Sequence, residues 1–173
     1  MKYSFNKISR REFFKRTGVV SGGLILAYST PALGKTNEPI VKSAELNAYV
    51  VIQEDGKILI YSGAPEMGQG IKTSLPMIVA EELGAAWEDV IVKQTPEVNV
   101  EKYGRQSTGG SYTLYRNWNL MREMGATARE MLLGAGALLM EIPKSELEAI
   151  DSQVRHQLSG RSIPFSELAS VAQ

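Results

Sequence analysis

Residues 63–71 read Gly-Ala-Pro-Glu-Met-Gly-Gln-Gly-Ile, and an apolar helical pattern follows at once. Gly68 and Gly70 bracket a single amide side chain, Gln69. Glycine lets a backbone lie close to a bound group or take positive φ. The start of the helix behind them offers N–H groups without intrahelical partners to an anion or a polar cofactor. Gln69 can donate and accept hydrogen bonds from one spot. A cofactor loop is built from these parts, although a lone Gly-x-Gly serves equally well as a tight turn. Gln69 could also cap the helix, and Glu66 reads as a solvated loop charge.

A second loop has the same design. Residues 104–111 read Gly-Arg-Gln-Ser-Thr-Gly-Gly-Ser, again just before a long helical pattern. If the two loops lie side by side, they form one polar pocket rich in N–H groups. The alternative is a pair of turns whose glycines serve only geometry, with Arg105 a surface or ion-pair residue.

The elements that would position these loops can be read from the spacing. Leu46–Gln53 and Lys57–Tyr61 flank a Glu54-Asp55-Gly56 turn and predict a β-hairpin. A helix follows from Thr73, with Leu75, Ile78, Val79 and Leu83 on one face. Thr73 is its expected N-cap, Pro76 falls in its first turn, and Gly84 closes it. Val90–Thr95 is a short strand ended by Pro96. From residue 113 to Met140 a long helix is expected. Its stripe is Leu114, Trp118, Met121, Ala128, Leu132, Ala135 and Leu139. Gly125, Gly134 and Gly136 each weaken that helix by about 1 kcal/mol relative to alanine, which makes sense if it packs closely on a neighbour. A late hairpin joins Leu147–Ile150 to Val154–Leu158, with His156 on its exposed face. A last helix opens at Pro164 and runs to Gln173 without a C-cap signal. Trp87 and Trp118 read as core residues. The fold class is α+β.

Composition narrows the chemistry. The 173 residues are 43% hydrophobic and 22% charged, with no cysteine and one histidine. Disulfides, thiolate ligands and a cysteine nucleophile are excluded, and histidine-based zinc sites or triads lack their usual complement. Redox chemistry would have to come from a bound cofactor. The net charge of zero is split along the chain. Residues 1–34 hold six Lys/Arg against Glu12, and the remainder holds 13 against 18 Asp/Glu. A basic head on an acidic body suits a targeting segment, and no basic patch with interleaved aromatics marks a nucleic-acid partner.

That head contains Ser9-Arg10-Arg11-Glu12-Phe13-Phe14-Lys15, which resembles the twin-arginine export signal. The apolar run from Thr17 to Ala32 is shorter than the roughly 20 residues a bilayer requires. Ala32-Leu33-Gly34 supplies the small residues of a cleavage site. The expected organisation is a signal peptide at 1–34, a linker at 35–45 and a domain from 46 to 173. The expected location is the periplasm or beyond. A short amphipathic helix or an uncleaved anchor is the alternative for the head.

The string Glu66-Met67-Gly68-Gln69-Gly70, with Ile71-Lys72-Thr73-Ser74-Leu75-Pro76-Met77 and Glu81-Glu82-Leu83 behind it, resembles the molybdenum-cofactor subunit of the xanthine dehydrogenase family. The closer likeness is to the exported branch, the large (beta) subunits of isoquinoline 1-oxidoreductase and related aldehyde dehydrogenases. Tyr103-Gly104-Arg105-Gln106-Ser107-Thr108-Gly109-Gly110-Ser111 is similar to that branch's next glycine loop. The resemblance runs from Ser9 to the final helix. It implies a molybdenum hydroxylase that oxidises a small aldehyde or N-heterocycle with oxygen from water. It also implies a molybdopterin cofactor in the cytosine dinucleotide form. By that match, Gln69 sits beside the molybdenum, Gly68 and Gly70 admit the pterin, and Ser107, Thr108, Gly109, Gly110 and Ser111 serve the cofactor. Electrons would leave through a small partner subunit carrying 2Fe-2S clusters, with a cytochrome as a further acceptor. The export machinery would be another partner.

The match has one departure. Large subunits of this family are several times longer, and their general-base glutamate lies near the C-terminus. Nothing here matches it, Glu66 and Glu167 included. The expectation is therefore an N-terminal segment of the molybdopterin-binding domain, inactive alone. A non-catalytic exported α+β binding module and a non-functional truncated remnant are the alternatives.

Overall fold

A computed structural model of the chain describes residues 43–96 and 98–172. The expected signal peptide and most of the expected linker lie outside those residues. The elements in chain order are β1 (Ser43–Glu45), β2 (Val50–Gln53), β3 (Ile58–Ser62), α1 (Ile71–Leu83) and β4 (Val90–Gln94). They are followed by α2 (Val100–Tyr103), α3 (Thr113–Met140), β5 (Leu147–Ile150), β6 (Gln153–His156), β7 (Ser162–Pro164) and α4 (Phe165–Ala169). The architecture is α+β, with one sheet ordered β1-β2-β3-β4 and a second ordered β5-β6-β7. Among the described residues no helix is long and apolar enough to cross a membrane.

The first sheet grows from the predicted hairpin. Val50 pairs with Ile60 in antiparallel register, and Gly56 takes φ 87 in the turn, where a Cβ would be strained. The strand Ser43–Glu45 adds to the outer edge of β2, so the last three residues of the expected linker are part of the sheet. β4 returns parallel to β3, with Ile58 opposite Val90 and Ser62 opposite Gln94. A parallel return needs a crossover, and α1 supplies it.

The sequence misplaces the start of α1. The helix begins at Ile71 behind Gly70 at φ 77, two residues before the expected cap at Thr73. Pro76 therefore lies inside the helix rather than in its first turn. Its end is where glycine puts it. Gly84 takes φ 79, and a Cβ there would stand 2.2 Å from the Ala149 carbonyl oxygen. Only a residue without a side chain allows that approach. The Ser152 N–H donates to the Gly84 carbonyl, and Ser152 Oγ accepts from the Ala86 N–H, so the second sheet is fastened to the end of α1.

α3 crosses α1 with its buried residues Met121, Gly125, Ala128, Leu132, Ala135 and Gly136. At Gly125 a Cβ would meet the Val79 carbonyl oxygen at 2.5 Å and Glu82 Cβ at 2.7 Å. At Gly136 it would meet Val154 Cγ1 at 2.7 Å. These two glycines allow the close packing that the sequence suggested, whereas Gly134 has nothing within 4 Å among the described residues. The first turns depart from the expected stripe. Thr113 and Asn117 are buried, while Leu114 and Trp118 are exposed. Asn117 Nδ2 donates to the Thr113 carbonyl at 2.8 Å, which satisfies the polar group inside. Leu139 is exposed as well, and Met140 takes its place in the core. Trp87, read as a core residue, is 42% exposed.

The late hairpin forms as expected, and β7 extends it to three strands. Asp151 and Ser152 both take positive φ in its two-residue turn. His156 is buried rather than on the exposed face. Its Nδ1 lies 2.7 Å from Ser159 Oγ and its Nε2 lies 3.3 Å from Glu146. Both ring nitrogens are partnered, which is how an imidazole enters a core. The last helix ends at Ala169 with Ser170 as its C-cap, short of the expected run to Gln173.

Candidate functional site

β3 and β4 run parallel and end together, and both glycine loops grow from those ends. The Thr95 N–H donates to the Ser62 carbonyl at 3.1 Å, one step past the ladder. Ligands of α/β units gather outside the carboxyl ends of parallel strands, where chains diverge. Loop 63–70 leaves β3 there. The second loop leaves β4 by way of Thr95, α2 and Tyr103.

The roots of the two loops are interlocked. Gln106 Nε2 donates to Thr95 Oγ1 at 2.7 Å, and Gln106 Oε1 accepts from the Asn99 N–H at 2.6 Å. The buried Tyr49 hydroxyl donates to the Tyr103 carbonyl. Burial, and then the neighbouring Tyr103, push the Tyr49 phenol up to about 12, so it remains a donor at ordinary pH. Gly63 lies against this floor, with its Cβ position 3.5 Å from the Tyr49 hydroxyl and 3.6 Å from Gln106 Cγ.

The tips also meet. Thr108 Oγ1 donates to the Pro65 carbonyl at 2.7 Å. The two loops that the sequence leaves as separate turns or one wall are therefore neighbours. Gly68, Gln69, Gly70, Ser107, Gly109, Gly110 and Ser111 are all exposed, and Thr108 is half-buried. Among the described residues nothing lies within 4 Å of the Cβ positions of Gly68, Gly70 and Gly109. Arg105 Nε donates to Ser107 Oγ at 2.6 Å, and the Gly109 N–H donates to Thr113 Oγ1 at 3.4 Å.

Inside loop 63–70 the hydrogen bonds differ from the sequence expectation. Gln69 does not cap α1. Its Oε1 accepts from the Met67 N–H at 2.6 Å, and its Nε2 donates to the Pro65 carbonyl at 3.3 Å. The helix start is not open to an outside anion. Glu66 Oε1 accepts from the N–H groups of Gly68 and Gly70 at 2.7 and 3.0 Å, and Oε2 accepts from the Lys72 N–H at 3.0 Å. Glu66 is thus not a merely solvated charge. The bonds from Lys72, Gly70 and Gly68 hold its carboxyl below the usual glutamate range.

Sequence reasoning missed Glu66, Gln106 and Tyr49. The spacing of Glu66 two, four and six residues before its donors was the available signal. Tyr49 acts across 54 residues on Tyr103, Gln106 reaches back to Thr95 and Asn99, and no local pattern marks either.

A family model described as the molybdopterin cofactor-binding domain matches residues 5–173. The chain is 33% identical over 174 residues to the beta subunit of isoquinoline 1-oxidoreductase from Brevundimonas diminuta, covering 96% of this chain and 22% of that protein. It is 33% identical over 171 residues to a nicotinate dehydrogenase subunit of Pseudomonas putida, covering 97% of this chain and 14% of that one. Among solved structures, quinoline 2-oxidoreductase from Pseudomonas putida 86 shares the fold with a TM-score of 0.55 at 22% identity. That likeness covers 70% of this chain and 15% of the other. The chain spans less than a quarter of the length of the curated relatives named above.

Proposed function

The chain belongs to the molybdopterin cofactor-binding domain family, and from that premise we propose that it forms one wall of the cofactor site in a molybdenum hydroxylase large subunit. The bond from Thr108 Oγ1 to the Pro65 carbonyl carries this reading, because it sets both glycine loops at one place. The residues present fit one face of such a cofactor. The space over Gly68, Gly70 and Gly109 is open, so a planar polar group can lie against bare backbone there. The exposed hydroxyls of Ser107 and Ser111 and the exposed Arg105 add donors. Glu66 closes the start of α1 to an anion, which leaves the second loop as the side that faces a phosphate.

When bound, the cofactor supplies the two-electron oxidation of a substrate C–H bond, with oxygen taken from water. The chain's own part is to bind and orient. Gln69 offers an amide that donates and accepts beside the metal, released from Met67 or Pro65 when it turns to a bound group. Ser107, Thr108, Gly109, Gly110 and Ser111 hold the organic part.

The finer reading follows the resemblance. The cofactor is the cytosine dinucleotide form, and the substrate is a small aldehyde or N-heterocycle. A small subunit with 2Fe-2S clusters takes the electrons, and a cytochrome accepts them next. The general-base glutamate and the other walls of the site come from polypeptide beyond these 173 residues, and residues 46–173 alone are inactive. The Arg10-Arg11 head directs export to the periplasm, a route that suits a protein folded around its cofactor first.

Molybdenum analysis of the complete assembly, purified from its own host, tests the reading. Stoichiometric molybdenum is expected. A complete assembly without molybdenum overturns it.

A further inference from the structure

Glu66 lies on an exposed loop, where a carboxylate is ordinarily hydrated. Three backbone N–H groups converge on it instead, from Gly68, Gly70 and Lys72 at 2.7, 3.0 and 3.0 Å. Donors at alternate positions reach one carboxylate only if the chain wraps round it. Gly68 at φ 95 and Gly70 at φ 77 make that wrap, a backbone that side chains oppose. Gln69 stands between them, folded onto Met67 and Pro65. The Pro65 carbonyl also receives Thr108. The carboxylate, the glutamine and the second loop therefore form one connected chain of contacts.

We propose that Glu66 is the positioning residue of this site: its carboxylate wraps residues 66–72, fixes where Gln69 is presented, and occupies the helix start that a ligand phosphate would otherwise take. The inference rests on the reading of the loops as a cofactor wall, but the wrap itself needs no cofactor. Chemistry sets how substitutions act. In Glu66→Gln one acceptor oxygen becomes an NH₂ donor. The side chain can then serve Gly68 and Gly70, or Lys72, but not both sets. Glu66→Ala serves neither.

The test uses the full 173-residue chain, isotope-labelled, and follows backbone amide exchange together with the Gln69 side-chain amide signals by NMR. In the parent chain the Gly68, Gly70 and Lys72 amides are expected to be protected. In Glu66→Ala their exchange should rise roughly tenfold or more, the loss expected for bonds to a charged acceptor. The Gln69 signals should move to those of a free glutamine, while the Val79 and Met121 amides keep their protection. A role in stability alone would leave the Gln69 signals in place. Unchanged exchange at the three amides with unmoved Gln69 signals overturns the inference. If Glu66→Ala loses protection in the helices too, Glu66→Gln decides. One set of amides should then be released, and release of neither overturns the proposal. Molybdenum in the complete assembly is read separately. Metal without the wrap sinks this inference alone, and the wrap without metal sinks the cofactor reading alone.

Discussion

Thr108 Oγ1 lies 2.7 Å from the carbonyl oxygen of Pro65, and this one bond ties together loops 43 residues apart in the chain. The Pro65 carbonyl also receives Gln69 Nε2. The side chain expected beside the metal and the second loop thus share one acceptor.

Thr108→Val removes the hydroxyl and keeps the shape. Thermal unfolding should show a loss of about 1 kcal/mol, the net worth of one partly exposed hydrogen bond. Molybdenum content of the complete assembly should fall, and Thr108→Ser should restore it. Full cofactor content in the valine variant would show that the loops do not act together.

Gly125→Ala and Gly134→Ala should move stability in opposite directions. A Cβ at Gly125 collides with the Val79 carbonyl, so α1 and α3 must part, at about 1–3 kcal/mol. Gly134 faces open space, and alanine there should add roughly 1 kcal/mol of helix stability. Urea unfolding of both variants checks this. Shifts of the same sign would contradict the packing described at the α1–α3 crossing.

Tyr49 gives a pH dependence of defined sign. Burial, followed by the charge of Tyr103, raises its phenol from 10.0 to about 12. The folded state favours the protonated form, so its contribution is complete below pH 10 and is lost as the pH climbs to about 12. Tyrosinate absorbance should show a late-titrating phenol near pH 12, with Tyr61 also shifted upward by its burial. Tyr49→Phe should abolish that late step and loosen the root of the second loop.

Gln69→Ala in the complete enzyme should lower turnover more than it lowers molybdenum content. Among the described residues its side-chain hydrogen bonds run to Met67 and Pro65 of its own loop, so the wall should survive its removal. Collapse of cofactor loading, with full activity per remaining molybdenum, would place Gln69 away from the metal.

Local grammar made much of this fold legible. Asp55-Gly56 marks its turn, Gly84 ends α1, and the span of α3 is read from residue 113 to Met140. Packing made the rest opaque. Thr113 and Asn117 enter the core because Asn117 Nδ2 finds the Thr113 carbonyl, while the more hydrophobic Leu114 and Trp118 stay out. His156 shares the buried face of β6 with Val154 two residues earlier, and it is tolerated there because Ser159 and Glu146 lie against its ring, partners that the strand pattern does not name. The candidate site divides in the same way. Its glycines and Gln69 stand out by spacing. The wrap round Glu66 and the footing on Gln106 depend on where backbone amides point once the chain has folded.

The fastening of Gly84 and Ala86 by Ser152 has a consequence for biosynthesis. Ala86 and its acceptor Ser152 Oγ are 66 residues apart. A ribosome adds roughly 5–20 residues each second, so the segment just past α1 waits seconds for the hairpin that fastens it. Through that interval the last turn of α1 is closed only by its own Gly84 and Ala85 amides, while the Gly84 carbonyl and the Ala86 N–H lack their Ser152 partners. The β5–β6 hairpin therefore acts as a late clasp in synthesis. Premature termination before Ser152 should leave a nascent chain that proteases cut between α1 and β4, even though every residue of both loops has already been made.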